Sequence, residues 1–403
     1  MTLQRYDLAS VAFYTNPYPV YKLLQAGDPV HWSSDLGCWL ITRYDDVLAG
    51  LRDPRLSSAK MPSFTRALPD EIQVEIRPFV QYLSSFLGLS DPPDHSRLRK
   101  LVNKAFTPNV VLAMRQRIQE TVERLIMNLV ELDNFDLIGS FAYPLPATVI
   151  TAVIGVPADD LGQFKRWSDD IVAFIGGSRA DADQAIRGQD SMMEMIDYYR
   201  GLLAERRRVP ATDLISALLM AEEAGQRLSE DELLATCVTL LAGGHETTTN
   251  LLANGMLALI QNPRQLEKLR SEPAMIQPAI EELLRYDSPV QRAERVARLD
   301  LEIGGKRIRA GDRMLLVLGA ANRDGSQFPE PDSLLLNRQP NRHLAFGFGT
   351  HFCIGSPLAR LEAEIAFQAL LQRLPRLAIE SQDLEWYPSV GNRGMKSMPV
   401  TRS

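Results

Sequence analysis

The sequence predicts a mainly α-helical protein with small β-sheets. Three observations carry this prediction. Segments with helical apolar periodicity fill most of the 403 residues, strand-like runs are few and short, and one long, centrally apolar helix is bounded by clear start and stop signals. Taken in chain order, a helix is expected over residues 17–25 and a strand over 38–42, followed by helices over 95–105, 110–132, 159–174, 185–207 and 229–261. Strands are then expected at residues 299–303, 306–308 and 314–319. A last helix opens at Pro357, with Leu358, Leu361 and Ile365 recurring at helical spacing. No repeat, low-complexity tract or Gly/Ser/Pro-rich linker divides the chain, so a single domain over residues 1–403 is expected.

Composition narrows the function classes. The chain is 45% hydrophobic and 23% charged, which excludes a disordered, collagen-like or disulfide-scaffold protein. Its 44 Lys+Arg against 50 Asp+Glu give a net charge of −6, which argues against nucleic acid as a partner because phosphate binding needs surplus cations. Cys38, Cys237 and Cys353 are odd in number and far apart, as expected of free thiols in a reducing compartment. Residues 1–7 lack the basic-then-apolar pattern of an export signal, and the weakly polar stretches at 144–157 and 233–244 are too short to span a membrane. A cytoplasmic monomer with no membrane partner is expected.

The segment from Ser229 is the most informative helix. Ser229 and Glu232 form the Ser-x-x-Glu capping box that fixes its start, and Asn262-Pro263 ends it, because the residue before proline is driven out of the α region. Its length is on the order of 50 Å. In its apolar centre stand Gly243, Gly244, His245, Glu246 and Thr247. Each glycine costs about 1 kcal/mol relative to alanine there, and an ionisable Glu among apolar turns costs more unless it is paired. Two explanations stay open: a kinked helix whose glycines admit a neighbouring helix while Glu246 points to solvent, or glycines that let a flat ligand approach while Glu246 and Thr247 relay protons beside it.

The second informative segment is Phe346-Gly347-Phe348-Gly349-Thr350-His351-Phe352-Cys353-Ile354-Gly355. Three glycines make it a tight loop, and Cys353 lies just before a helix N-terminus whose amides favour a thiolate. Zinc spacing is missing, and His351 alone does not make a nucleophilic triad. One thiolate in a glycine-rich loop beside aromatics suits a large planar cofactor.

The run Phe346-x-x-Gly349-x-x-x-Cys353-x-Gly355 resembles the haem-binding loop of cytochromes P450, of the soluble bacterial type. Residues 243–248 resemble the long distal helix of that family, Glu282-Leu283-Leu284-Arg285 its Glu-x-x-Arg helix, Phe328-Pro329-Glu330-Pro331 leading to Arg338 its meander, and residues 94–99 the helix that crosses the haem. Leu334 departs from the aromatic usual in the meander.

The resemblance implies the cytochrome P450 fold, a helical prism around a buried haem b whose iron is held by the Cys353 thiolate. It implies that Gly243, Gly244, Phe346 and Gly355 border the haem. His95, Arg99, Arg295 and His351 would contact its propionates, and buried carboxylates need such partners. Glu282, Arg285 and Arg338 would form a structural network under the Cys353 loop. Glu246 and Thr247, on the oxygen-binding face, would carry the catalytic protons. A monooxygenase is implied, hydroxylating or epoxidising a fairly large apolar molecule with O2 and two electrons.

No flavin, nicotinamide or iron–sulfur signature is present in the chain, so a separate ferredoxin or flavodoxin with its reductase is implied. Arg97, Lys100, Lys104, Arg115 and Arg117 are its candidate docking face. The resemblance places the substrate pocket at residues 57–89, 174–186, 238–242, 289–293 and around Val390, segments with few fixed charges, and Gly176-Gly177-Ser178 suggests a mobile lid. Alternatives are a peroxygenase or C–C-cleaving enzyme acting on a fatty acyl chain, and a non-catalytic haem sensor.

Overall fold

The computed structural model describes residues 6–177 and 180–402. Ten helices organise the molecule around the site: α1 (Tyr18–Gly27), α2 (Asp94–Ala105), α3 (Pro108–Ala113), α4 (Arg115–Leu129), α5 (Pro144–Ile154), α6 (Leu161–Gly176), α7 (Ala182–Arg208), α8 (Glu230–Gln261), α9 (Ile276–Tyr286) and α10 (Ser356–Arg373). The strands are β1 (Val30–Ser33), β2 (Cys38–Ile41), β3 (Leu56–Ser57), β4 (Asn134–Asp136), β5 (Arg292–Ala297), β6 (Leu301–Ile303), β7 (Lys306–Ile308), β8 (Arg313–Val317), β9 (Leu377–Ile379) and β10 (Pro399–Arg402). They form a five-stranded sheet in the order β1-β2-β8-β5-β3, a three-stranded sheet β4-β10-β9 and the hairpin β6-β7.

Helix α8 starts where expected. Ser229 Oγ accepts from the Glu232 amide at 3.2 Å, and Glu232 Oε2 accepts from the Ser229 amide at 2.9 Å, completing the capping box. The helix stays unbroken across Gly243-Gly244 and packs against α5, α7, α9 and α10. The two glycines do different work. A Cβ on Gly244 would lie 2.7 Å from Ile150 Cγ1, so this glycine admits α5, whereas a Cβ on Gly243 would meet nothing within 4 Å. Gly244 thus admits a neighbouring helix as the first explanation expects, but without its kink, and Glu246 is held by Asn392 rather than turned to solvent; the space beside Gly243 leaves room for a flat ligand.

A stability consequence follows from that asymmetry. Gly244→Ala forces Ile150 to shift and should cost about 1–3 kcal/mol, while Gly243→Ala should raise helix propensity by up to about 1 kcal/mol without a clash. Urea midpoints of the two variants check this, and equal midpoints would refute it.

Several elements differ from the sequence reading. The helix expected over residues 110–132 is divided at Met114, because Thr107 caps a separate α3 by accepting from the Val110 amide at 3.3 Å. The strand expected over 314–319 ends at Val317 and turns into a short helix, Leu318–Ala321. The weakly polar stretch 144–157 contains α5, a core helix with Pro144 and Pro146 in its first turn, stopped by Gly155 at φ 102°.

Strand β5 escaped notice because Arg292, Glu294 and Arg295 make it look polar. The strand is nonetheless buried, with Arg292 and Glu294 paired inside the protein. Packing of the sheet's two central strands places Arg292 opposite Val317 and Arg295 opposite Met314. The strand therefore carries charged side chains into the interior beside the site.

Candidate active site

A cavity of about 350 Å3 opens among α8, the start of α2, the residues leading into β5 and the loop ahead of α10. Gly243, Gly244 and Thr247 line it from α8; Phe346, Cys353 and Gly355 line it from the loop. The loop owes its shape to Gly347 and Gly349, both left-handed (φ 69° and 74°), and to the Cys353 amide donating to the Phe346 carbonyl at 2.9 Å. Arg360 stacks on Phe346 with 4.5 Å to the ring centre and is itself held by Glu281 Oε1 at 2.6 Å.

Burial pushes the Cys353 thiol up, opposed by the amides of Gly355 and Ser356 and by the charges of Arg99 and Arg360. A sulfur so placed becomes a thiolate readily once a metal cation binds it. Cys38 and Cys237 are buried in the core, and burial pushes Cys237 up to about 12, which makes it an inert thiol.

His95, Arg99, Arg295 and His351 come together although residues 95 and 351 are far apart in sequence. The two imidazoles stack at 4.1 Å between centroids. Burial pushes the His351 ring down to about 3, with His95 and Arg295 adding to the effect, so it is neutral at ordinary pH. Burial also lowers Arg295, to about 10. Both ring nitrogens of His95 are buried with no hydrogen-bond partner. Arg99 donates to the Phe352 carbonyl at 2.7 Å and Arg295 to the Glu294 carbonyl at 2.8 Å; neither has a carboxylate ion-pair partner among the described residues. Orphaned imidazole nitrogens, a buried guanidinium and a half-buried one, neither with a carboxylate, are what a ligand with two carboxylates requires. The residues present therefore fit a haem ligated by Cys353.

Beneath the loop, Glu282 and Arg285 are fully buried and pair in two parallel bonds of 2.8 and 2.9 Å. Arg338 Nε donates to both Glu282 oxygens at 3.1 Å. The two arginines also hold the carbonyls of Asn322, Pro329, Glu330, Pro331 and Ser333. Leu334 takes the departed aromatic's place as a buried core residue.

Two site expectations need correction. Thr247 lines the cavity, its hydroxyl donating to the Gly243 carbonyl at 3.0 Å, but Glu246 does not line it. Glu246 is turned instead to Asn392, whose Nδ2 donates to Oε1 at 3.0 Å, and burial raises its carboxyl. The pocket is also less neutral than its sequence suggested. Leu87, Leu240, Pro289, Val290 and Ala293 line it as expected, but so do Arg292 and the buried, raised Glu362. Val390 borders a separate small pocket, Phe174 packs on Phe64 and Phe79, and Ser178 of the expected lid lies outside the described residues.

The docking face is thinner than its sequence. Arg97 pairs with Glu232, Lys104 with Glu223 and Arg115 with Glu364, leaving Lys100 and Arg117 exposed.

The roles of Asn392 and of Lys60, the partner of Glu294, have no local signal in the sequence. Neither residue lies in a motif, and each acts across a long stretch of chain.

A helical prism with a cysteine at a helix N-terminus, facing a glycine of the long central helix across a cavity ringed by carboxylate-seeking side chains, defines a haem-thiolate protein. A family model described as Cytochrome P450 matches residues 69–385. The polyketide biosynthesis cytochrome P450 PksS of Bacillus subtilis (strain 168) is 40% identical over 97% of both chains. The cytochrome P450 monooxygenase PikC of Streptomyces venezuelae is 41% identical over 96% of this chain and 91% of its own. The crystal structure of P450BioI in complex with hexadec-9Z-enoic acid ligated acyl carrier protein superposes with a TM-score of 0.91 at 38% identity, covering 98% of this chain and 100% of that one. The chain belongs to the cytochrome P450 family. It is a haem-thiolate monooxygenase, and among its described residues no helix is long and apolar enough to cross a membrane.

Proposed function

We propose that the chain oxidises an apolar acyl or polyketide-type chain in the cytoplasm, using O2 and electrons from a separate ferredoxin or flavodoxin with its reductase. The observation that carries this reading is the cavity wall of Leu87, Leu240, Leu251, Val290 and Ala293, which continues down to Cys353. Relatives named for polyketide biosynthesis, and the structure holding a fatty acyl group, support the substrate class.

Cys353, His95, Arg99, Arg295 and His351 would hold the haem, with Gly243 allowing it to approach α8 closely. The bound haem supplies dioxygen activation and the oxidising power for a C–H or C=C bond. One oxygen atom enters the substrate and the other leaves as water, which consumes two electrons and two protons. The chain's own task is to meter those protons. Thr247 presents a hydroxyl to the cavity, and by exchanging its bond to the Gly243 carbonyl for one to water it passes a proton on. Glu246, whose carboxyl is raised by burial, is the acid behind it; turning away from Asn392 brings the proton to the Thr247 side.

Thr247→Ala tests this division of labour. The variant should keep its haem while product per electron pair falls by roughly tenfold and hydrogen peroxide rises to match. Unchanged coupling, measured as product against reduced nicotinamide consumed, would refute the Thr247 role. A screen of acyl and polyketide ligands by the low-spin to high-spin shift tests the substrate class, and a preference for compact steroids alone would sink it.

A further inference from the structure

The interior holds a second cationic cluster, apart from the haem-facing quartet. Glu294 on β5 is buried and accepts from Lys60 Nζ at 2.8 Å, from Arg292 at 2.8 Å and from Arg313 Nε at 2.7 Å, so one carboxylate serves three cations. Their combined charges hold Glu294 far below the usual carboxylate range. Lys60 and Arg292 have no other carboxylate partner among the described residues. Burial, with the charges of Arg292 and Arg313, drives Lys60 down to about 8 against the pull of Glu294. A surplus of buried positive charge is costly, and an anion relieves it.

The surplus meets the substrate space at one residue. Apart from His95, Arg99 and His351, which would contact the haem, Arg292 is the only basic side chain among the described residues on the cavity wall. Its NH1 donates to Glu294, and its NH2 to the carbonyls of Gly176 at 3.2 Å and Gly177 at 2.9 Å. A guanidinium has five N–H donors, and Nε is buried here with no partner. The contacts to Gly176 and Gly177 hold the C-terminal end of α6, as does Lys60 Nζ on the Ile175 carbonyl at 3.2 Å.

We propose that Arg292 selects substrates carrying a free carboxylate, which it binds through its unspent N–H donors with Lys60 behind it. This deepens the reading above and rests on it. The carboxylate then sits at the Arg292 end, and the apolar remainder runs along Leu240, Val290 and Ala293 toward Cys353. Oxidation therefore falls on carbons remote from the carboxylate. An acyl chain presented as a thioester has no charge to place there.

The test uses the haem-loaded enzyme. Tetradecanoate, methyl tetradecanoate and 1-tetradecanol are titrated in turn and read by the low-spin to high-spin shift. The acid should bind roughly ten- to hundredfold more tightly than the ester or the alcohol. In Arg292→Gln that preference should shrink to within about twofold with ester affinity unchanged, and Arg292→Lys should restore part of it. Equal binding of acid and ester by the unaltered enzyme overturns the proposal, as does no shift with the acid. A variant that weakens acid, ester and alcohol alike also overturns it, since Arg292 would then only hold α6. The comparison of the three ligands on the unaltered enzyme stands even if a variant fails to fold. A thiolate-type spectrum of the reduced carbon monoxide complex, recorded on the same sample, separates failure of this proposal from failure of the haem assignment.

Discussion

Cys353→Ser removes the monooxygenase activity while leaving the fold in place. Serine nearly matches cysteine in volume, and Cys353 stands in a loop shaped by Gly347, Gly349 and the bond from its own amide to the Phe346 carbonyl, none of which needs sulfur. A serine hydroxyl, however, stays protonated where a thiol ionises under a metal cation, and it lacks the thiolate's electron release that favours O–O cleavage. The reduced carbon monoxide complex should lose the red-shifted Soret band of thiolate ligation, and turnover should fall by at least roughly a thousandfold. Circular dichroism and the urea midpoint should stay close to those of the parent. Cys237→Ser is the matched control: that thiol is sealed in the core, so its loss should leave the spectrum unchanged. A retained thiolate-type band in Cys353→Ser would require another axial ligand.

Glu282→Gln should be the most destabilising single change at the site. The Glu282 carboxylate receives both bonds from Arg285, two from Arg338, one from Asn341 at 3.2 Å and one from the Leu335 amide at 2.9 Å. Losing its charge leaves two interior guanidiniums uncompensated, which costs about 3–5 kcal/mol. An isolated pair of this spacing on a helix surface contributes only about 0.2–0.5 kcal/mol, so burial is what makes it matter. The two arginines brace the carbonyls of residues 329–331, Ser333 and Asn322, and Asn322 Oδ1 in turn accepts from the Leu344 amide at 2.6 Å, just ahead of the Cys353 loop. The variant should therefore unfold at lower urea and retain less haem at equal protein concentration. A midpoint within about 0.5 kcal/mol of the parent would show that the network is dispensable.

Some of this site could be read residue by residue along the chain. The capping box of Ser229 and Glu232, the stop at Asn262-Pro263 and the glycine loop ahead of Cys353 are local signals, set by residues within a few positions of one another. The Glu282 and Arg285 pair is likewise an i,i+3 spacing. Glu246 shows the limit. Its residue type marks a buried acid, but whether it faces the cavity or Asn392 depends on a chain segment 146 residues away. Lys60 and Glu294 are separated by 234 residues, and without that contact β5 looks like an exposed polar stretch.

Periodicity, capping and loop chemistry act over a turn or two of chain, so the helical class, the bounds of the central helix and Cys353 as the candidate ligand were legible in the sequence alone. That Gly244 admits Ile150 while Gly243 borders the cavity, that three basic residues of the expected docking face are already paired, and that Arg292 reaches the cavity wall beside Val290 and Ala293 emerges only in the packed chain. Adjacent residues on one helix point about 100° apart, and what each meets is set by segments that approach it only when the chain is packed.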